Sequence, residues 1–311
     1  MRILILGAGG TGGYFGSKLL QAGCDVHFLV RAARAQQLQR DGLSVRSPLG
    51  DRHMEAPCLT QETLPTEIAK QPFDLVLLSC KAYDLNSAIE AIAPAVGPQT
   101  AVLPILNGLA HYDVLDARFG HAAVLGGLCH ISVTKADDGS IVHLGKLERL
   151  TFGAREDGQR ECVAALLALC QHAGIDVVAT DAISAAQWDK YSFLTALAAG
   201  TCLMQASVGE IVAVEGGAAF LRGLYAECLA VATAEGHAVA DNAQAAALEM
   251  LTRPGSTLKA SMLRDLLAGH RTEAAHIVGD MLQRAQANDL VTPLLQTANC
   301  YLALRGSDAN K

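Results

Sequence analysis

The chain has 311 residues, 51% of them hydrophobic and 18% charged, with a formal net charge of −7. That length allows one large domain or two ordinary ones with a sizeable core, and the apolar share excludes an extended disordered chain. The acidic balance, with no basic run, argues against a nucleic-acid partner, which calls for a Lys/Arg footprint.

MRILILGAGG does not read as a signal peptide, because glycines break its apolar run within a few residues. RILIL (2–6) reads as a fully apolar strand, GTGGYFGSKLLQAG (10–23) as a helix closed by Gly23, and DVHFLV (25–30) as a second strand. FDLVLLS (73–79) and TAVLPIL (100–106) are two more buried strands, with the helical pattern LNSAIEAIAPAV (85–96) between them. Buried strands alternating with helices predict βαβ units around a parallel sheet. AAVLGGLCHI, GSIVHLG and RLTFG, across 122–153, read as shorter strands of an antiparallel extension; a helix over 161–174 and a strand over 175–180 follow.

After residue 180 only helical patterns recur, at 182–199, 215–236, 241–252, 257–268, 272–288 and 292–303. The reading is an α/β, Rossmann-type dinucleotide-binding domain over 1–179 and an all-α domain over 180–311, ending in a loose tail, RGSDANK. No apolar stretch reaches the roughly 18 residues of a membrane span. The nine cysteines are scattered with no C-x-x-C, which points to buried thiols in a reducing cytoplasm. The dispersed histidines suggest no metal site. His130 and His143 could meet on neighbouring strands, with a structural or surface role the simpler reading. The apolar C-terminal helices permit a homodimer.

GAGGTGG (7–13) joins the first strand to the first helix and holds G-x-G-x-x-G at Gly7, Gly9 and Gly12. The first glycine permits the tight turn, the second admits a pyrophosphate to the backbone, and the third lets helix and sheet pack. Gly7, Ala8, Gly9, Gly10, Thr11 and Gly12 thus form a cradle whose helix N-terminus offers N–H groups and a positive dipole end. NAD binders place an acidic residue about 20 residues further on. Here Arg31 ends the second strand, with Arg34 nearby, which suits the 2′-phosphate of NADP. Arg31 as a plain solvated strand-end charge is the other reading.

Lys81 follows the strand 73–79, on the ligand side of an open sheet, as a phosphate or active-site contact or as a surface lysine. Asn107 follows TAVLPIL and would face the nicotinamide, although N-G is also a common turn. In the helical half, QWDKYSFLTALAAG (187–200) sets Lys190 into an almost wholly apolar helix, and a lysine is rarely buried unless its charge is paired or used. Ser261 lies near the start of one helix. Glu273 opens the next, sharing a face with Ile277 and Met281, as a ligand contact or a charge serving the helix dipole.

Taken together these pieces resemble the ketopantoate reductase family (2-dehydropantoate 2-reductase) over essentially the whole chain: GAGGTGG, Arg31, KA at 81–82, NG at 107–108, W-x-K at 188–190, Ser261 and HRTE at 270–273. The resemblance implies NADPH-dependent reduction of ketopantoate to pantoate in pantothenate biosynthesis. It implies Lys190 as general acid, Glu273 as supporting carboxylate, Asn107 near the nicotinamide and the substrate carbonyl, and Ser261 at the substrate carboxylate. Arg31 and Lys81 match the cofactor-phosphate residues. One departure stands out: many members carry asparagines four and eight residues after the lysine, where this chain has Leu194 and Ala198. Ser192 and Thr195 lie on adjacent faces. That change motivates a second reading, a reductase of another branched or more apolar 2-oxo acid. A non-catalytic NADP-binding sensor is a third reading, but it would need neither Lys190 nor Glu273.

Overall fold

The computed structural model describes residues 1–308. β1 (Ile3–Leu6) leads through the glycine turn into α1 (Gly10–Gln21) and on to β2 (Val26–Leu29). α2 (Ala32–Asp41) is followed by the short strands β3 (Leu43–Arg46), β4 (Arg52–Met54) and β5 (Cys58–Leu59). Next come α3 (Leu64–Lys70), β6 (Leu75–Leu78), α4 (Leu85–Ile92), β7 (Ala101–Pro104) and α5 (His111–Phe119). The long strands β8 (Gly126–Lys135) and β9 (Ile141–Gly153), then α6 (Arg160–His172) and β10 (Val177–Ala179), complete this half.

The apolar four-residue strands assemble into a parallel sheet of order β5-β2-β1-β6-β7. Strands buried on both faces can be apolar throughout, as Ile3, Ile5 and Leu75–Leu78 are here.

β8 and β9 are antiparallel to each other, but they do not extend that sheet. They belong to a second sheet of order β10-β9-β3-β4, with β8 on β9. GSIVHLG and RLTFG form one strand rather than two. The pattern breaks at Gly145 because the register jumps there: Val133 pairs with His143 and Ile131 with Glu148, so residues 144–147 bow out of the ladder.

The helical half consists of α7 (Ile183–Met204), α8 (Val208–Val212), α9 (Gly217–Ala234), α10 (Asp241–Leu251) and α11 (Ser261–Leu267). A π turn (Ala275–Gly279) then runs into α12 (Asp280–Ala287), and α13 (Pro293–Asp308) is the last element among the described residues. Of the tail RGSDANK, residues 305–308 continue α13 and the rest lies outside the described residues. Gly200 lets α7 and α9 close on each other, since a Cβ there would stand 2.5 Å from Leu221 Cδ2. Leu221 and Leu224 are wholly buried at that contact, each worth about 1.5–3 kcal/mol of transfer energy.

The chain divides into two compact units: Met1–Leu106 with His111–Ile183, and Asn107–Ala110 with Ser184 onward. No described helix is long and apolar enough to cross a membrane.

α1 packs on the parallel sheet through its glycines. A Cβ at Gly16 would stand 2.5 Å from Phe28 Cζ and 2.7 Å from Ile5 Cδ1, both in the core. Gly16→Ala is therefore expected to destabilise the fold by about 1–3 kcal/mol, read as a lower urea midpoint.

All nine cysteines are thiols, but they are not uniformly buried: Cys300 is exposed. Burial pushes the Cys170 and Cys202 thiols from an ordinary 9.0 up to about 12. A group whose proton affinity is raised by folding stabilises fully below its unfolded value and loses that contribution as pH climbs to its folded value. The urea midpoint should therefore fall as pH rises from 9 toward 12, and less steeply in a Cys170→Ala, Cys202→Ala double variant.

Candidate functional site

In the first unit, the glycines of the G-x-G-x-x-G set, Gly7, Gly9 and Gly12, stand in different surroundings. Gly7 sits at φ +85°, open to glycine at no steric cost. A Cβ at Gly12 would stand 2.4 Å from Ser79 Oγ and 2.8 Å from Gly7 O, so only glycine lets α1 begin this close to β1. Gly9, the residue before α1, faces open space, with nothing within 4 Å of where its Cβ would stand. On that side the first-turn N–H groups of α1 lack intrahelical partners and lie at the positive end of the helix dipole. Backbone donors beside open space fit a dinucleotide pyrophosphate.

Arg31 is exposed just ahead of α2, and its side chain makes no cap hydrogen bond. Lys81 is exposed just past β6. Arg34 turns inward. Its Nη2 donates to Ala8 O (3.0 Å) and Gly139 O (2.9 Å), and its Nη1 donates to Gln37 Oε1 (2.7 Å). Burial holds its pKa below the usual arginine value. Arg34 therefore ties the glycine turn to the loop between β8 and β9.

His130 and His143 do not come together: His130 pairs with Arg149 across the sheet and His143 with Val133. His143 is buried, bridging Ser47 Oγ (2.9 Å) and Leu147 O (3.0 Å). No group of three or more candidate metal ligands occurs among the described residues.

In the second unit, Lys190 is partly buried and its Nζ donates to Asn107 Oδ1 at 3.1 Å. The structure thus joins two of the candidate residues directly. Asn107 begins a turn that Gly108 allows, at φ +81°. Leu194 packs against the core of this unit and Ala198 is wholly buried, so these two positions carry carbon and no hydrogen-bonding group. The hydroxyls of Ser192 and Thr195 are buried without a hydrogen-bond partner among the described residues.

Glu273 is 5% exposed. It lies just ahead of the helix rather than inside it, and its carbonyl accepts the N–H groups of His276 (3.0 Å) and Ile277 (3.1 Å). Ser261, the first residue of α11, is exposed.

Sequence reasoning missed Tyr191. Its hydroxyl lies 2.7 Å from Asp280 Oδ2 and 3.0 Å from Ile277 O. Burial first, and the Asp280 charge second, push its pKa well above the usual tyrosine value, so it stays a protonated donor. Arg284 holds Asp280 (2.9 Å) and Glu235 (2.8 Å). The available signal was the Asp280/Arg284 pair at helical spacing beside an apolar face.

The family model "Ketopantoate reductase PanE/ApbA" matches residues 3–157, and "Ketopantoate reductase PanE/ApbA C terminal" matches residues 182–302. The chain is 34% identical to the "Uncharacterized oxidoreductase YkpB" of Bacillus subtilis (strain 168), over 100% of both chains. It is 29% identical to a 2-dehydropantoate 2-reductase of Halobacterium salinarum, over 96% of each. Among solved structures, a PanE/ApbA family ketopantoate reductase from Ralstonia eutropha JMP134 superposes with a TM-score of 0.88 at 27% identity, over 100% of both chains.

The Arg34 latch has a direct test. Arg34→Met keeps the apolar stem and removes the donors to Ala8 O and Gly139 O. Amide hydrogen exchange across residues 7–12 should speed up about tenfold, as for the loss of roughly 1.4 kcal/mol of hydrogen bonding.

Proposed function

The chain belongs to the ketopantoate reductase family of oxidoreductases, and from that premise we propose that it reduces a small 2-oxo acid with NADPH, converting 2-dehydropantoate to pantoate on the route to pantothenate. The observation that carries this reading is the Lys190 ammonium, set in the apolar face of α7 and bonded to Asn107 Oδ1 at 3.1 Å. Without catalysis or pairing to retain it, a lysine in such a place is costly.

When bound, NADPH supplies the hydride for the 2-oxo carbon. The first-turn N–H groups of α1 would hold the pyrophosphate, Arg31 would bind the 2′-phosphate, and Lys81 would contact a cofactor phosphate. Lys190 donates a proton to the carbonyl oxygen as negative charge builds there, stabilising the transition state as a cation before it acts as an acid. Asn107 orients the ammonium. Glu273 supports it from the substrate side, and Ser261 binds the substrate carboxylate. The nine thiols suit a reducing cytoplasm.

A second reading rests on Leu194 and Ala198. An apolar helix face past Lys190 offers no hydrogen bond to a substrate hydroxyl, which loses about 1–3 kcal/mol per buried bond left unmade. It favours a 2-oxo acid with a branched or otherwise apolar side chain.

One assay decides between them: loss of NADPH absorbance with a panel of 2-oxo acids, repeated with NADH. Saturable turnover of 2-dehydropantoate supports the first reading, activity confined to apolar acids supports the second, and tight NADPH binding without oxidation rejects both. Lys190→Ala is expected to lower kcat by about 10²–10⁴-fold with NADPH affinity nearly unchanged.

A further inference from the structure

Asn107, Lys190 and Glu273 each lie beside, or within one helical turn of, a residue in a single packing knot. Gly108 follows Asn107, Tyr191 follows Lys190, and Ile277 stands one helical turn after Glu273. At Gly108 the backbone presses on the π turn, where a Cβ would stand 2.6 Å from His276 O and 3.9 Å from Tyr191 Cε2. Tyr191, 2% exposed, reaches Ile277 O at 3.0 Å. Ile277 gives its own N–H to Glu273 O at 3.1 Å. One residue of the π turn thus joins α7 through its carbonyl and Glu273 through its N–H.

A π turn is a rare register of the helical ladder. Here a donor from another helix engages one of its carbonyls. The donor is itself held: the Tyr191 hydroxyl lies 2.7 Å from Asp280 Oδ2, which Arg284 Nε grips at 2.9 Å. Arg284 also reaches Glu235, and its guanidinium carbon lies 5.6 Å from the Trp188 ring centre, over a ring stacked on His237. The brace therefore begins and ends on α7, on either side of Asp189.

We propose that Tyr191, held by Asp280 and Arg284, is the positioning residue that sets Lys190 and Asn107 against Glu273. Its hydroxyl touches no reacting atom and acts through the π turn. The inference rests on Lys190 being the acid of the reaction. A bare core role for Tyr191 would be served equally well by phenylalanine, which fills the same volume and lacks only the donor.

The test is Tyr191→Phe, assayed on whichever 2-oxo acid the wild type turns over. A displacement of about 1 Å costs on the order of 100-fold in rate, so a loosened brace should lower kcat about tenfold. The alkaline limb of the pH–rate profile should move, because it reports a proton affinity set by the acid's neighbours. KM for NADPH should stay at the wild-type value. A folded Tyr191→Phe protein with wild-type kcat and an unmoved limb overturns the proposal. Should that variant fail to fold, Arg284→Met keeps Asp280 as the acceptor for Tyr191 and removes the group that grips it; wild-type kcat and limb there overturn it equally. Lys190→Ala separates the layers. If it is inactive while Tyr191→Phe is normal, the brace alone falls. If it turns over normally, the acid assignment falls and the brace with it.

Discussion

A partly buried ammonium group needs oxygen partners, and Lys190 of α7 finds one outside its own helix. The oxygen comes from Asn107, 83 residues away in sequence, at the head of a four-residue turn that belongs to the helical unit. Much of that unit can be understood as the support for this one bond. The turn needs a positive φ at Gly108, and it needs a backbone surface to lie on, which the π turn presents as His276 O. The π turn needs a donor, which α7 returns through Tyr191. Hydrogen bonds from Lys190 to Asn107 and from Tyr191 to Ile277 O thus pair polar groups across elements, inside a core as apolar as Leu221, Leu224 and Met281.

The glycine turn of the first unit works by the opposite device. It is built from missing side chains, and the three glycines are needed for separate reasons: a backbone angle at Gly7, a collision avoided at Gly12, and space beside Gly9. Such a loop has few side chains of its own to hold its shape. Arg34 does that work from α2, spending its guanidinium on Ala8 O and Gly139 O. Arg31 and Arg34, three residues apart on the same short segment, thus face opposite ways: Arg31 is exposed and Arg34 is turned inward.

The parallel sheet was legible because its strands are short, apolar and separated by helical periods, and the cradle because its glycines sit at a strand–helix junction. The second sheet was not. β3 and β4 have only three or four residues each, and half-buried edge segments such as RHM lack a clear alternation. The bow at residues 144–147 disguised one strand as two. Lys190 announced itself as a charge out of place. Tyr191 did not, because a buried tyrosine beside Trp188 is what a core ordinarily contains, and its partners lie some 90 residues on. Glu273 was read as a residue of a helix that begins only after it, since a π turn has no signature in apolar periodicity.

The small segment Asn107–Ala110 has one more implication. It is flanked on both sides by residues of the first unit yet packs as part of the second, so the polypeptide passes between the units three times, at 106/107, 110/111 and 183/184. Neither unit is a contiguous stretch of sequence. A cut at residue 183 would strip the helical portion of the amide on which its lysine depends. A chimera that exchanged only the C-terminal helices between relatives would set one protein's lysine against another protein's 107–110 turn.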